Sequence, residues 1–238
     1  MSSSPEARQR PIRITLRDMR DYLLYRIPLA RVIHDRSVLR YLPRLRGRAL
    51  ELGAGRHDYS AYALETDAYI RSDYQPDTRD DRIAIDATAI DFPDASFDSI
   101  ICMSALEHIC DYPAALAEMH RVLKPGGQLL LCVPWLFPYH GAPDDYHRFT
   151  ASALRVHLAQ FEITEFEAVG NYWLSLAMFL QRPIWSRPAQ NKRSRFYDPL
   201  LRAIGVVFLL AGRNRSARDD NYALLYTCLC RKPENGKT

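Results

Sequence analysis

Several features that mark whole classes of protein are missing from this 238-residue chain. Its five cysteines, Cys102, Cys110, Cys132, Cys228 and Cys230, include no C-x-x-C pair. That argues against a disulfide framework, and because most of them lie in apolar strand-like runs they read as reduced, buried small hydrophobes. The first 15 residues carry Pro5, Pro11 and three arginines but no seven-residue apolar stretch, so no secretory leader is expected and the chain is assigned to the cytoplasm. The most apolar late segment, "PLLRAIGVVFLLAG" at 199–212, is 14 residues long and is interrupted by Arg202, which is too short to span a bilayer. Internal repeats and low-complexity tracts are also missing.

What is present suffices for one sizeable core, with 47% apolar and 11% aromatic residues. The formal charge of +4 is unevenly spread. Residues 1–50 carry twelve Arg against four acids, and residues 181–238 carry twelve Arg or Lys against four acids, so each end is +8 and the centre, 51–180, is −12. An acidic centre excludes a uniformly basic nucleic-acid binder. The basic ends suit solvated helix faces, phosphates or anionic headgroups, and the sequence leaves these open.

Apolar spacing predicts two helices ahead of the core, in "RITLRDMRDYLLYRI" and "PLARVIHDRSVLRYL". "RALELGAG" reads as a strand closed by a glycine turn, "HDYSAYALE" as a short helix, and "AYIRSDY" and "RIAIDA" as strands. "FDSIICMSALEHI" reads as a strand entering a loop, "PAALAEMHRVL" as a helix, "KPGG" as a turn and "QLLLCVP" as a strand. Alternation at this spacing predicts an α/β fold, a doubly wound, mostly parallel sheet. "WLFPYHGAPDDYHRFT" has neither periodicity and reads as a long loop at a strand's carboxyl end, where open α/β sheets bind ligands. A helix "ASALRVHLAQ" capped by Thr150, a strand "FEITEFEAV", apolar helical segments and a last strand "YALLYTCLCRK" complete the chain.

Gly53 and Gly55 follow the first strand directly, where glycine allows a tight turn and a close ligand approach, and the helix expected after them would favour electron-rich groups. Asp58 occupies the third glycine position of the dinucleotide fingerprint G-x-G-x-x-G, which disfavours a nicotinamide cofactor. Taken together, "ELGAG", "SDYQP", "DATAIDFPDASFDSIICMSALEHI" and "HRVLKPGGQLLLCVP" resemble the class I S-adenosylmethionine-dependent methyltransferases over residues 48–170. The resemblance implies a Rossmann-like methyltransferase domain over 48–238 behind a helical lead-in at 1–47, with a helical insertion at about 171–215 and the final strand at about 222–232. It implies S-adenosylmethionine as cofactor, with Glu51, Gly53, Ala54 and Gly55 around its methionine part and Asp73 on the ribose diol. Tyr74 would flank the adenine, Asp86 would accept from its amino group beside Ala87, and Ser104 would lie near the methionine portion. The family's fullest first motif has another glycine where His57 stands. That departure keeps open a non-catalytic subunit of this fold.

Methyl transfer needs alignment of the acceptor and, for a hydroxyl, removal of its proton. Candidate bases are His108 and the histidines and aspartates of the 135–150 loop. That loop resembles one in methyltransferases associated with bacterial polysaccharide and lipid-linked glycan synthesis. On this resemblance a sugar or glycan hydroxyl is the expected acceptor, with a small metabolite carrying an amine, carbon or carboxylate acceptor as the alternative. His140 is the expected base and Asp145 its orienting partner. His108 walls the site, and Tyr139, Tyr146, His147 and Arg148 shape the acceptor pocket. The alternative is that Asp145 and Arg148 merely pair to lock the loop and that His147 is exposed. No ligand spacing matches a known metal set, so no metal is expected. Neither an acceptor tetrapeptide of the D-P-P-Y or N-P-P-Y kind nor a CxxC-bearing RNA module is present, so no nucleic-acid acceptor is expected. The apolar segments "NYWLSLAMFLQRPIW" and "PLLRAIGVVFLLAG", with Arg182, Arg187, Arg193 and Arg195 between them, suit a peripheral contact with the inner face of an anionic membrane, a homodimer surface or a helical cap.

Overall fold

The computed structural model describes residues 15–17, 20, 29–77, 81–141, 144–185, 194–212 and 221–234. Seven strands form one sheet: β1 (Arg46–Leu52), β2 (Glu65–Asp73), β3 (Ile83–Ala84), β4 (Phe97–Met103), β5 (Leu123–Pro134), β6 (Glu162–Val169) and β7 (Leu225–Arg231). Their order is β3-β2-β1-β4-β5-β7-β6. β1 pairs in parallel with both β2 and β4, β4 with β5, and β7 runs antiparallel to β5. The expected doubly wound, mostly parallel sheet is therefore formed, and its strand order reverses between β1 and β4, where such sheets open a ligand crevice.

The centre of the sheet explains itself from composition. β4 and the second half of β5 are nearly continuous apolar runs, and Ile100, Ile101, Cys102 and Leu129 to Val133 are wholly buried, as strands covered on both faces must be. Helix α2 (Tyr112–Val122) turns Ala115, Leu116, Met119 and Val122 inward. The Asp111 carboxylate accepts from Ala114 N at 3.1 Å to cap it, and Pro113 sits in its first turn, where no backbone donor is needed. Helix α3 (Ala151–His157) starts as expected at Thr150, whose Oγ1 accepts from Ala153 N at 3.1 Å.

Three local expectations differ from the structure. "HDYSAYALE" forms a 3-10 turn over Ser60–Tyr62 instead of an α-helix. Asp58 accepts from Ser60 N at 2.9 Å, closing a local turn, and only twelve residues separate β1 from β2. The helix N-terminus expected to favour electron-rich groups is therefore missing. "KPGG" is not a turn between elements but the first part of β5, where the register against β4 shifts between Phe97 and Ser99 and Gly126 takes φ 77°. Lys124 bridges Asp98 at 2.8 Å across this register shift. "RIAIDA" contributes only the two-residue β3.

The chain divides into two compact units, Met1–Ile33 with Val169–Ala223, and His34–Ala168 with Leu224–Thr238. The second holds the sheet. The first holds α4 (Tyr172–Trp185) and α5 (Ser194–Gly212), which pack on each other. Asn171 Oδ1 accepts from Trp173 N and Leu174 N at 3.1 Å while its Nδ2 donates to Gly212 O at 3.1 Å, so one side chain caps α4 and fastens the end of α5. Of the two expected N-terminal helices the second is α1 (Leu29–Tyr41), while most of the first lies outside the described residues, as do Arg187 and Arg193. No helix among the described residues is long and apolar enough to cross a membrane.

Candidate active site

At the carboxyl end of β1 the chain turns twice through left-handed backbone, at Gly53 (φ 69°) and Gly55 (φ 56°). The two glycines are needed for different reasons. A Cβ on Gly53 would stand 2.4 Å from Ala105 Cβ, in the loop after β4, whereas a Cβ on Gly55 would meet nothing within 4 Å. Gly53 is thus crowded by the fold, and Gly55 borders open space. Between them Ala54 N donates to Ser72 O at 2.9 Å, and Ser72 Oγ donates to Glu51 O at 2.7 Å, stitching the ends of β1 and β2 together.

Asp73, the last residue of β2, faces this loop. Its Oδ2 accepts from Gly55 N at 3.1 Å and from Arg82 Nη1 at 2.7 Å, and its Oδ1 accepts from Tyr74 N at 2.8 Å. A carboxylate offers about four lone-pair positions, so Oδ1 keeps one for a further donor. Asp86 lies just past β3 and is exposed. Its Oδ1 takes both the N–H (2.8 Å) and the hydroxyl (2.7 Å) of Thr88, which leaves Oδ2 for another donor. Ala87 is half-buried next to it and Tyr74 is exposed. Ser104 follows β4 with φ 50°, a rare backbone for a non-glycine residue, held by Ser104 N donating to Cys132 O at 2.8 Å.

The loop is stabilised where a helix was expected. Arg71, on β2, donates to His57 O at 3.0 Å and bridges Asp81 at 2.7 Å, with its Nε 3.9 Å from Asp58 and 4.0 Å from Glu51. Burial pushes the Glu51 carboxyl up to about 7, against the opposing influence of the nearby Tyr69 hydroxyl and Arg71. Arg71 and Arg82 were not singled out in the sequence, where each is one arginine among many.

The second half of the site comes from the 3-10 turn Leu106–His108 after β4 and the loop after β5. Glu107 O accepts from Tyr146 N (2.8 Å) and His147 N (3.3 Å), which ties the loop to the turn. The side chain of Asp145 is buried and paired with Arg148 through both carboxylate oxygens, and it also accepts from His140 N at 3.0 Å. Burial opposes its charge, yet Arg148 and the His140 N–H hold its carboxyl down at about 2. Asp145 and Arg148 therefore do lock the loop, and they also carry His140, whose Nδ1 is 3.1 Å from Asp145 Oδ2. His140 and His108 meet edge to face with ring centroids 4.9 Å apart.

His147 is not part of this pairing. Its Nε2 is 3.1 Å from Cys110 O and its ring packs on Tyr112 and Phe149. Tyr139 and Tyr146 are exposed, and Tyr146 donates to Asp144 Oδ2 at 3.1 Å. Glu107 was passed over in "LEHI" in favour of its neighbour. It is fully buried, and neither of its carboxylate oxygens has a hydrogen-bond partner among the described residues. Its Oε1 is 3.6 Å from His140 Nε2 and 3.8 Å from His108 Nε2.

Residues 46–131 match the family model described as "Methyltransferase domain". A demethylmenaquinone methyltransferase of Deinococcus radiodurans is 50% identical over 46 residues, covering 19% of this chain and 19% of that protein. A ubiquinone/menaquinone biosynthesis C-methyltransferase of Paraburkholderia phymatum is 34% identical over 92 residues, covering 30% of this chain and 38% of that one. The chain thus matches between 19% and 38% of the length of these two relatives. Among solved structures, a Burkholderia thailandensis 1,6-didemethyltoxoflavin N1-methyltransferase with bound S-adenosylhomocysteine superposes with a TM-score of 0.52 at 18% identity, over 87% of this chain and 79% of its own. At that identity the likeness is one of fold. The family match lies on β1 to β5, the strands that carry the glycine loop, Asp73 and Ser104, so the likeness to a methyltransferase domain rests on the part of the chain that forms this site.

Proposed function

We propose that this protein transfers a methyl group to a hydroxyl oxygen, with a sugar or glycan hydroxyl, free or lipid-linked, as the acceptor. S-adenosylmethionine, when bound, supplies the methyl group already activated on a sulfonium. The residues at the end of β1 and β2 fit it. Gly55 leaves open space where a side chain would intrude, Asp73 keeps an acceptor position on Oδ1 for a ribose hydroxyl, and Asp86 keeps Oδ2 for an amino donor. A ribose diol wants two acceptor positions, and the second is the one Arg82 now takes on Asp73 Oδ2. Arg82 therefore competes with the ligand for this carboxylate.

The observation that carries the hydroxyl reading is the proton-accepting cluster of Glu107, His108 and His140 at the carboxyl ends of β4 and β5. An amine need only arrive neutral, but a hydroxyl requires a group that removes its proton. Asp145 and Arg148 hold the loop that carries His140, and the exposed rings of Tyr139 and Tyr146 on the same loop suit packing against the apolar faces of a sugar. A second reading, methylation of a quinone-type ring carbon, is favoured by the names of the two relatives.

The test starts with calorimetric titration by S-adenosylhomocysteine of the wild type and Asp73→Ala, followed by acceptor screening with a labelled methyl donor and NMR of the product. Binding lost in Asp73→Ala and a new O–CH3 resonance on a glycan are expected. A C–CH3 product on a quinone would replace the hydroxyl reading. An absence of binding to wild type would leave a non-catalytic member of the fold.

A further inference from the structure

Glu107 poses a problem that the protein around it does not solve. A carboxylate with no exposure and, among the described residues, no hydrogen bond to either oxygen is costly, and the groups around it decide how that cost is met. Two imidazole nitrogens stand close to it, Nε2 of His140 and of His108, both beyond hydrogen-bond distance of Oε1 at 3.6 and 3.8 Å.

The other side of each ring fixes where its proton lies. His108 Nδ1 is 2.6 Å from Asp144 O, an acceptor only, so Nδ1 carries the hydrogen and Nε2 the lone pair. His140 Nδ1 has Asp145 Oδ2 at 3.1 Å and Pro138 O at 3.3 Å as oxygen neighbours. It also has Arg148 Nη2 at 3.3 Å, a guanidinium nitrogen that already donates to Pro138 O at 3.2 Å and to Asp145. The oxygens place the hydrogen on Nδ1 here too. Two imidazole lone pairs and a carboxylate thus converge, their ligand atoms all within 4.8 Å of one another. Outer oxygens on Nδ1 with Nε2 turned inward is the arrangement that orients histidine as a metal ligand.

We propose that Glu107, His108 and His140 bind a first-row divalent cation. Ligands about 2.0–2.2 Å from a shared ion lie at most roughly 4.4 Å apart, so a few tenths of an ångström of side-chain movement closes the site. Two nitrogens and one carboxylate suit Zn2+ or Mn2+ and leave coordination positions open, as sites that act on a bound oxygen do. Its role in turnover rests on the hydroxyl-acceptor reading. The cation would bind the acceptor hydroxyl and lower its pKa. The proton then passes to water, the oxygen forms the new O–C bond to the methyl carbon, and the C–S electron pair returns to sulfur as a neutral thioether. The sequence expectation of no metal came from spacing alone, and spacing could not register a ligand pair on one segment meeting a histidine on another.

The experiment uses the full chain, stripped with a chelator and exchanged into metal-free buffer. It is titrated with Mn2+ while free Mn2+ is followed by electron paramagnetic resonance, with no methyl donor or acceptor present. One Mn2+ per chain, displaced by Zn2+, is expected, with affinity reduced more than the roughly 10–100-fold that loss of an outer partner produces in both Glu107→Gln and His140→Ala. Glu107→Gln keeps the side-chain volume and breaks no protein hydrogen bond among the described residues, so its fold, checked by circular dichroism, should persist. No saturable Mn2+ binding, or binding that both variants retain, overturns the proposal. S-adenosylhomocysteine calorimetry on the same stripped sample separates the two readings. Cofactor binding without Mn2+ binding removes the metal site alone, and Mn2+ binding without cofactor binding removes the methyl-transfer reading alone.

Discussion

Replacing Gly53 and Gly55 in turn by alanine tests the division of labour in the glycine loop. Each alanine must adopt left-handed backbone, at φ 69° and 56°, which costs about 1–2 kcal/mol per residue. Only Gly53→Ala adds a collision, because its methyl would stand 2.4 Å from Ala105 Cβ, more than an ångström inside the ~3.5–4.0 Å carbon contact optimum. Overpacking of this kind adds about 1–3 kcal/mol, for roughly 2–5 kcal/mol in all. At about 2–4 °C per kcal/mol for a chain of this size, Gly53→Ala should melt about 4–20 °C lower and Gly55→Ala about 2–8 °C lower. Ligand binding should follow the opposite order. The methyl of Gly55→Ala enters the open space proposed for the cofactor, so calorimetry with S-adenosylhomocysteine should show affinity at least ~10-fold weaker, equivalent to about 1.4 kcal/mol, on a protein that remains folded. Wild-type affinity in Gly55→Ala would refute the placement of the cofactor against this glycine, and a wild-type melting temperature in Gly53→Ala would refute the packing argument.

Glu51 gives stability a pH dependence of definite sign. Its folded pKa, about 7 against an ordinary 4.5, means the folded state holds the proton more tightly. Its contribution is complete below about pH 4.5 and is lost as pH rises through 7, by up to about 3 kcal/mol. Urea midpoints at pH 5 and pH 8 should therefore fall further in wild type than in Glu51→Gln, and parallel behaviour of the two would show that Glu51 is ionised throughout. Arg71→Met removes the donor to His57 O, so limited chymotrypsin digestion at the exposed Tyr62 should speed up several-fold, whereas an unchanged cleavage rate would mean the loop holds without this clamp. Cys110 is the exposed cysteine among five, and burial pushes Cys230 up to about 12. An aromatic disulfide reagent should titrate one thiol rapidly in the native protein and none in Cys110→Ser, and rapid reaction of a second thiol would place one of the buried four at the surface.

The sheet was legible because its centre is written in long apolar runs. "FDSIICM" and "QLLLCVP" become β4 and the second half of β5, paired in parallel as a mostly parallel sheet requires. The misread places are those where a polar contact outweighed propensity. Asp58 and Arg71 hold residues 57–60 as a pinned turn instead of a helix, and a break in the register against β4, with Gly126 in left-handed backbone, lets the strand begin in "KPGG". In the site, Asp73 and the glycines were readable because their partners lie on consecutive elements. Arg82 was not, since its pairing with Asp73 depends on how the segment after β2 folds back. Glu107 was hidden for another reason: its importance lies in having no hydrogen-bond partner among the described residues, and an unmet hydrogen bond leaves no trace in a sequence.

The crossover from β1 to β2 without an α-helix bears on how the protein opens and closes. β2 carries a mixed, largely polar surface and is only partly buried, and it borders β3, the two-residue edge. Backbone amides of this margin should exchange with solvent by local opening well before those of β4 and β5, forming a separate cooperative unit of low stability. Asp73 and Asp86 lie on that same margin. A ligand held by them at a hundred times its dissociation constant would add about 2.7 kcal/mol, concentrated in the part of the sheet that has least of its own, and amide protection there would report occupancy more sharply than any global melting temperature.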